Sequence, residues 1–187
     1  MNLVLFGPPG SGKGTQAKNL VKKLNNFQVS TGEMLRDEIK KDTEIGKKII
    51  NYVNEGKFVD DEIVNKLMKK VISDPQKKYR LIFDGYPRTL DQAKNLDLLL
   101  ESTNQKIDFI FFLNVNKDKI IKRIERRKIL EKRPDDDLNT ILKRYDAYME
   151  TTRPILDYYS TKSNFKEIDG GLKIAEITSK IVNILNV

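Results

Sequence analysis

The 187-residue sequence contains no cysteine and no histidine. Without cysteine, the chain has no means of forming disulfides, thiolate metal sites or a cysteine nucleophile. Without histidine, Ser-His-Asp catalysis and histidine-ligated zinc are excluded as well. Any catalysis must therefore use lysine, arginine, carboxylates, hydroxyls and backbone groups, which favours reactions that need charge stabilisation rather than proton shuttling.

Long apolar runs are also missing. No run approaches the length of a membrane span, and residues 1–7 lack the basic start and long apolar stretch of a secretory signal. We therefore expect a cytoplasmic protein without a membrane-spanning segment. The length and the proportions of 39% hydrophobic and 33% charged residues indicate one compact globular domain.

Positive charge is abundant, with a net charge of +8 and a pI of about 9.4. This balance suits nucleic acid, an acidic membrane surface or phosphorylated small molecules, and by itself it leaves all three open.

Short apolar runs of the β type alternate with longer helical patterns. Five candidate strands cover residues 3–6, 28–29, 81–83, 109–113 and 165–168. Helical spacing of apolar residues marks residues 13–24, 60–72, 138–159 and 175–185. In the third of these, we expect Pro154 to bend the helix. The alternation predicts an α/β fold with a parallel, five-stranded sheet and helices on both faces.

Two segments interrupt this alternation and are expected to be mobile excursions. Residues 30–59 open with Ser30 and Glu33 in the spacing of a capping box, and Gly46 and Gly56 are expected to separate helices there. Residues 126–137 are first basic and then acidic. The predicted core therefore consists of residues 1–29, 60–125 and 138–187.

The sequence GPPGSGK at residues 7–13 follows a candidate strand and opens a helix, which is the spacing of a phosphate-binding P-loop. Its glycines let backbone N–H groups surround a phosphate, the helix N-terminus adds positive potential, and Lys13 can reach the β- and γ-phosphates. The next residue is Gly14, and the hydroxyl that usually stands there comes one position later, at Thr15. The usual assignment of a Mg²⁺-binding hydroxyl therefore does not transfer directly.

Residues 7–17, GPPGSGKGTQA, resemble the nucleotide-binding loop of nucleoside monophosphate kinases, adenylate kinases above all. The resemblance extends along nearly the whole chain and implies the P-loop kinase fold, with residues 30–59 as the monophosphate-binding segment and 126–137 as a short lid. Many bacterial adenylate kinases have a longer lid, often with four metal-binding residues. Because the segment here is short, the resemblance is to the short-lid form, and because it lacks cysteine and histidine, no structural zinc is expected.

Residues 81–92, LIFDGYPRTLDQ, are similar to a second motif of the same family. An acid at the tip of a strand lies where open α/β sheets bind ligands, so Asp84 is expected to hold the waters of Mg²⁺. Arg88 can bind phosphate through two parallel hydrogen bonds, and Gln92 offers the donor and the acceptor that an adenine edge requires.

The monophosphate-binding segment carries further implied contacts. The resemblance implies that Thr31 lies near the acceptor base, that Arg36 binds its phosphate, and that Val59 contacts adenine mainly through its backbone. Glu33 stands where the family more often has Asp, and we assign it to helix capping.

Five arginines lie within or close to the second excursion. Arg123 and Arg127 share a helix face because they are four residues apart. The resemblance implies that Arg123 stacks on the donor adenine, that Arg127 bridges toward phosphate, and that Arg133 and Arg144 clamp the transferring group. Arg126 has no counterpart in the family and is expected at the surface.

The resemblance thus implies three sets of site residues and one metal-binding residue, Asp84, which acts through water. The catalytic set is Lys13, Arg88, Arg127, Arg133 and Arg144. The ATP-binding set is Gly10, Ser11, Gly12, Lys13, Gly14, Thr15, Arg123, Arg127 and Leu172. The AMP-binding set is Thr31, Arg36, Lys57, Phe58, Val59, Gly85, Arg88, Gln92, Arg133 and Arg144.

The implied reaction is MgATP + AMP ⇌ 2 ADP, carried out by a monomer that binds ATP, AMP and ADP. The acceptor phosphate is largely ionised at neutral pH, so the absence of histidine is no obstacle. A UMP/CMP kinase is the nearest alternative, but such enzymes typically have Ala at the position of Thr31 and Asn at that of Gln92.

Two alternatives from other classes are less well supported. A nucleic-acid binder would use the +8 charge, but no basic stripe interleaved with aromatic residues is present. A guanine-reading GTPase needs an acid where Lys119 follows Asn116-Lys117-Asp118.

Overall fold

The computed structural model describes residues 1–131 and 138–187. The strands in these ranges are β1 (Leu3–Phe6), β2 (Phe27–Ser30), β3 (Leu81–Asp84), β4 (Phe109–Asn114) and β5 (Phe165–Asp169). The first five helices are α1 (Lys13–Leu24), α2 (Thr31–Lys40), α3 (Glu44–Asn54), α4 (Asp61–Ile72) and α5 (Leu90–Glu101). The others are α6 (Lys117–Glu131), α7 (Leu138–Ala147), α8 (Pro154–Ser160) and α9 (Ile174–Leu185), with a π-helical turn (Tyr148–Thr152) between α7 and α8.

The five described strands form one parallel sheet in the order β2-β3-β1-β4-β5. Strand β1 is central, and its Leu3 is in register with Ile82 of β3 and Phe109 of β4. All carboxyl ends of the strands therefore meet at one edge of the sheet, where ligands bind in open α/β folds. The predicted five-stranded α/β fold is confirmed.

Helices cover both faces of the sheet because side chains alternate along the buried strands. Val4 and Phe6 belong to a core shared with α4, α5 and α8, while Leu3 and Leu5 belong to a core shared with α1 and α9. The residues from β1 are all nearly inaccessible to solvent. The loop that follows β1 is therefore held by a rigid strand.

The expected break at Gly46 is wrong. Helix α2 ends at Lys40, and the Thr43 hydroxyl caps α3 by accepting a hydrogen bond from the Gly46 N–H (3.0 Å). Gly46 thus lies in the first turn of α3, where a Cβ atom would collide with the Glu38 carbonyl. Its small size serves the close packing of α2 on α3.

Gly56 does follow the end of α3, with φ at +73°, a conformation that glycine adopts readily.

The long helix expected over residues 138–159 is divided. Helix α7 passes into the π-helical turn, and Pro154 is the first residue of α8. Proline suits this position because the first N–H groups of a helix have no partner within it. At the position where a bend is expected, the helix changes from α to π just before Pro154, and α8 begins at the proline.

The division of the chain into a core, a monophosphate-binding segment and a lid stays a prediction. Residues 132–137 of the expected lid lie outside the described residues. In the described ranges, no helix is both long and apolar enough to cross a membrane.

Candidate active site

A cleft of about 720 Å³ opens at the carboxyl edge of the sheet. Its walls come from the loop after β1, the start of α1, the loop after β3, helices α2, α6 and α7, and residues 56–59. The loop after β1 turns into α1 at Gly12, which is the N-cap and has φ at +101°. The first turn of α1 therefore presents its N–H groups to the cleft, as an anion-binding helix terminus does.

Lys13 is the first residue of α1, and its side chain folds back over the P-loop. The ammonium donates to the carbonyls of Gly7 (2.6 Å) and Pro8 (3.0 Å). Burial lowers the pKa of Lys13 to about 8, and the carboxylate of Asp84 offsets only part of this effect. Lys13 is thus a charged group whose surroundings in the protein favour it less than water does.

Arg88 lies across the cleft, in the loop after β3. Its Nε donates to the Gly85 carbonyl (2.8 Å), and its guanidinium lies 5.4 Å from the centre of the Phe58 ring. Burial lowers the pKa of Arg88 to about 10; the positive charge of Arg144 also lowers it, whereas Asp84 raises it. Two cations with depressed pKa values in one cleft indicate a site for an anionic ligand.

The remaining arginines connect the walls of the cleft. Arg123 on α6 donates to the Ser11 carbonyl (3.1 Å) and to the Gly170 carbonyl (2.7 Å), so it joins the P-loop to the end of β5. Arg144 on α7 donates to the Val53 carbonyl (3.4 Å) at the end of α3. These contacts hold guanidinium groups from two helices around one space.

Asp84 fits a magnesium site of the kind that substrate phosphates complete. Its carboxylate lines the cleft, accepts a hydrogen bond from Gln28 Nε2 (3.0 Å), and lies so close to Gly14 that a Cβ atom there would be 3.3 Å from Oδ2. Among residues 1–131 and 138–187, no group of three or more acidic residues is arranged to hold a metal ion. A single carboxylate suits Mg²⁺, which keeps several waters and is held largely by nucleotide phosphates.

The family model of adenylate kinases matches residues 5–164. These residues include the second half of β1, all of β2 to β4, the P-loop and most of the cleft. The chain belongs to the adenylate kinase family.

Curated adenylate kinases are similar over the full length. One from Pelagibacter ubique (strain HTCC1062) is 46% identical over 213 aligned positions, which cover 100% of both chains. One from Porphyromonas gingivalis (strain ATCC 33277) is 38% identical over 186 positions, which cover 100% of this chain and 96% of the relative. The first alignment is longer than this chain, so the Pelagibacter protein has positions that are missing here. The 187-residue length agrees with the short-lid form.

Membership in the adenylate kinase family makes the chain a phosphotransferase, as the sequence predicts. The reaction of the family is the reversible transfer of a phosphoryl group between ATP and AMP, which gives ADP.

Most of the predicted site residues line the same cleft. They are Gly10, Ser11, Gly12, Lys13, Gly14, Thr15, Arg36, Lys57, Phe58, Val59, Asp84, Gly85, Arg88, Arg123, Arg127, Arg144 and Leu172. Arg133 lies outside the described residues. Arg126 was expected at the surface; it is exposed and also borders the cleft. The roles assigned to these residues stay predictions.

Thr31 and Gln92 each form a hydrogen bond with a residue that lines the cleft. Both are buried, and neither is among the described residues that line it. The Thr31 hydroxyl donates to the Gly85 carbonyl (2.7 Å). Gln92 accepts a hydrogen bond from the Arg88 N–H (2.8 Å), and its Nε2 donates to Asp61 Oδ1 (2.5 Å).

Sequence reasoning missed the groups that orient the site. Gln28 holds the Asp84 carboxylate, and the Thr152 hydroxyl donates to the Arg88 carbonyl (3.0 Å). The sequence does offer one indication for Gln28, which is a polar side chain within a candidate strand. Thr152 had none, because it reaches Arg88 from a turn 64 residues further along the chain.

Proposed function

We propose that this chain catalyses MgATP + AMP ⇌ 2 ADP by in-line transfer, with ATP on the P-loop side of the cleft and AMP on the side of residues 31–59. The observation that carries the proposal is the placement of Lys13 and Arg88 on two walls of one cleft, each with a lowered pKa. A phosphate chain that joins the two walls would restore a favourable environment for both cations.

The ATP side uses backbone groups first. The N–H groups of the P-loop and of the first turn of α1 bind the β- and γ-phosphates. Lys13 exchanges its bonds to the Gly7 and Pro8 carbonyls for phosphate oxygens. Arg123, which already contacts the Ser11 carbonyl, borders the nucleoside end of this site.

The transfer itself needs alignment and charge neutralisation. A phosphate oxygen of AMP attacks the γ-phosphorus, and it needs no general base because its second pKa is about 6. Arg88, Arg127, Arg144 and Arg133 spread the charge of the migrating group. When bound, Mg²⁺ neutralises phosphate charge, and Asp84 would hold it through water.

Closure of the two excursions would exclude water that otherwise hydrolyses ATP. This proposal is supported by a contact between α7, which follows the expected lid, and the end of the monophosphate-binding segment. Arg144 on α7 reaches the Val53 carbonyl, and a Cβ atom on Gly56 would lie 2.9 Å from Thr140 Cγ2. Helix α7, which follows the expected lid, thus already packs against the end of the monophosphate-binding segment.

We further propose that the protein acts as a cytoplasmic monomer on nucleotides rather than on nucleic acid or membranes. One chain supplies both walls of the cleft. Many cations of this basic chain line that cleft, so nucleotide phosphates are a sufficient ligand for them.

The acceptor preference tests this assignment. With saturating MgATP, kcat/KM for AMP is expected to exceed that for UMP and CMP by at least about tenfold, because a mismatched base leaves buried polar groups unpaired at ~1–3 kcal/mol each. A coupled assay of ADP formation with AMP, UMP, CMP and GMP measures it. Comparable turnover of UMP would refute the preference for AMP and leave a less selective kinase.

The pH dependence tests the role of Lys13. Because its pKa is lowered to about 8, free Lys13 loses its proton as the pH rises through that value, and kcat/KM for ATP should fall there. Bound phosphates raise the pKa of Lys13, so the decline in kcat should appear at a higher pH. A value of kcat/KM for ATP that stays constant well above pH 8 would contradict the combination of a lowered pKa and a phosphate contact at Lys13.

A further inference from the structure

Asp61 receives two hydrogen bonds behind the proposed AMP site. It is the first residue of α4, two residues after the monophosphate-binding segment ends at Val59, and it is partly buried. Its Oδ2 accepts from the Thr89 hydroxyl (2.7 Å), and its Oδ1 accepts from Gln92 Nε2 (2.5 Å). Thr89 also caps α5 by accepting from the Gln92 N–H (3.1 Å), so one network joins the starts of α4 and α5.

This network fixes which way the Gln92 amide points. The Nε2 of the amide faces the Asp61 carboxylate, which only accepts hydrogen bonds. The Oε1 faces the Arg88 N–H, which only donates. A flipped amide would turn Oε1 toward the carboxylate and Nε2 toward the N–H, so both contacts oppose the flip. Asp61 supplies the stronger restraint because its charge makes the hydrogen bond charge-assisted.

The orientation matters for the base that the amide can recognise. After these two bonds, Gln92 keeps one N–H and one oxygen lone pair. Adenine offers an acceptor at N1 and a donor at its 6-amino group, which complement that pair. Hypoxanthine offers the reverse, a hydrogen on N1 and an acceptor at O6, which would need a flipped amide.

We propose that Asp61 is a positioning residue that sets acceptor-base specificity by holding the Gln92 amide in the orientation that suits a 6-aminopurine. The inference rests on the proposed function, in which Gln92 recognises the base of AMP. Asp61 touches no reacting atom, and its effect passes through Gln92.

The test compares Asp61→Asn with Asp60→Asn, with AMP and inosine monophosphate as acceptors. Asn at position 61 keeps the shape but can also donate, so it tolerates the flipped amide. The ratio of kcat/KM for AMP to that for inosine monophosphate should fall about fivefold, the scale of one net hydrogen bond, while KM for ATP stays unchanged. Asp60→Asn removes the same charge from the same helix end and preserves capping of the Glu62 N–H, so its ratio should match the wild type.

Gln92→Ala, alone and combined with Asp61→Asn, separates the two claims. If Gln92→Ala leaves the ratio at the wild-type value, the proposed base recognition by Gln92 fails. If Gln92→Ala abolishes the preference and Asp61→Asn does not change it, the inference about Asp61 alone is overturned.

The double variant tests the route of the effect. Asp61→Asn should change the ratio no further in the Gln92→Ala background. A full effect in that background would overturn the inference, as would a lower melting temperature of Asp61→Asn with an unchanged ratio. All ratios are measured well below each variant's melting temperature.

Discussion

Lys13→Met is expected to lower kcat at least about 1000-fold and, at pH 7, to raise the melting temperature of the nucleotide-free protein. The loss of activity follows from removing the charge proposed to stabilise the transferring phosphoryl group, an effect at the upper end for one preorganised contact. Since burial lowers the pKa of Lys13 to about 8, the charged side chain destabilises the folded state, and methionine removes that cost.

The lowered pKa sets the size and the pH range of the stabilisation. The shift of the Lys13 pKa from 10.5 to about 8 limits the increase in the free energy of unfolding to ~3 kcal/mol. An increase of ~1–3 kcal/mol corresponds to a rise in melting temperature of roughly 2–10 °C in a chain of this length. Below pH 8 the folded and unfolded proteins both carry the proton, so the cost is fully present. Between pH 8 and 10.5 the folded protein releases its proton first, and the advantage of methionine should disappear.

Lys22→Met is the matched control. Lys22 lies on the same helix but is exposed, so the same change should leave activity intact and alter stability by less than about 1 kcal/mol. Coupled kinetics and melting curves at pH 7 and at high pH give all the values. A Lys13→Met protein that is active, or that melts well below the wild type, would contradict the account.

Arg88→Lys is expected to lose at least about 100-fold in kcat/KM for AMP. Arg88 borders the cleft with its guanidinium oriented by the Gly85 carbonyl and by the face of the Phe58 ring. A planar guanidinium can bind a phosphate through two parallel hydrogen bonds, whereas an ammonium binds it as a point charge. The melting temperature should stay close to the wild type, because lysine keeps the charge, a hydrogen-bond donor and most of the aliphatic side chain.

Arg153→Lys is the control for this substitution. Arg153 is exposed between the π-helical turn and α8, and its replacement should leave kcat/KM within a few-fold of the wild type. Kinetics and melting are measured on the same preparations. Near-wild-type activity of Arg88→Lys would show that Arg88 is not a phosphate ligand, and a large drop in its melting temperature would show that it is structural.

The fold was predictable because its signals are local. Apolar runs such as Leu3–Phe6 mark buried parallel strands, and a P-loop after one of them fixes the edge of the sheet where ligands bind. The gathering of Lys13, Asp84 and Arg88 in one cleft follows from this topology, since β1 and β3 are neighbours and end at the same edge.

Other features depend on contacts between distant parts of the chain. In the sequence, Gly46 suggests the end of a helix. Only the packing of α2 on α3 shows why glycine is needed inside α3. The family motif and the donor and acceptor of the amide together predict that Gln92 recognises an adenine edge. Its bond to Asp61, 31 residues earlier, depends on how α4 and α5 begin side by side.

The central claim is that the cleft transfers a phosphoryl group between two nucleotides instead of hydrolysing one. Phosphorus-31 NMR of the wild-type protein with ADP and Mg²⁺ as the only substrates tests it directly. The account predicts that ATP and AMP appear in equal amounts until equilibrium, without inorganic phosphate. Release of inorganic phosphate from ADP, or no ATP at all, would contradict it.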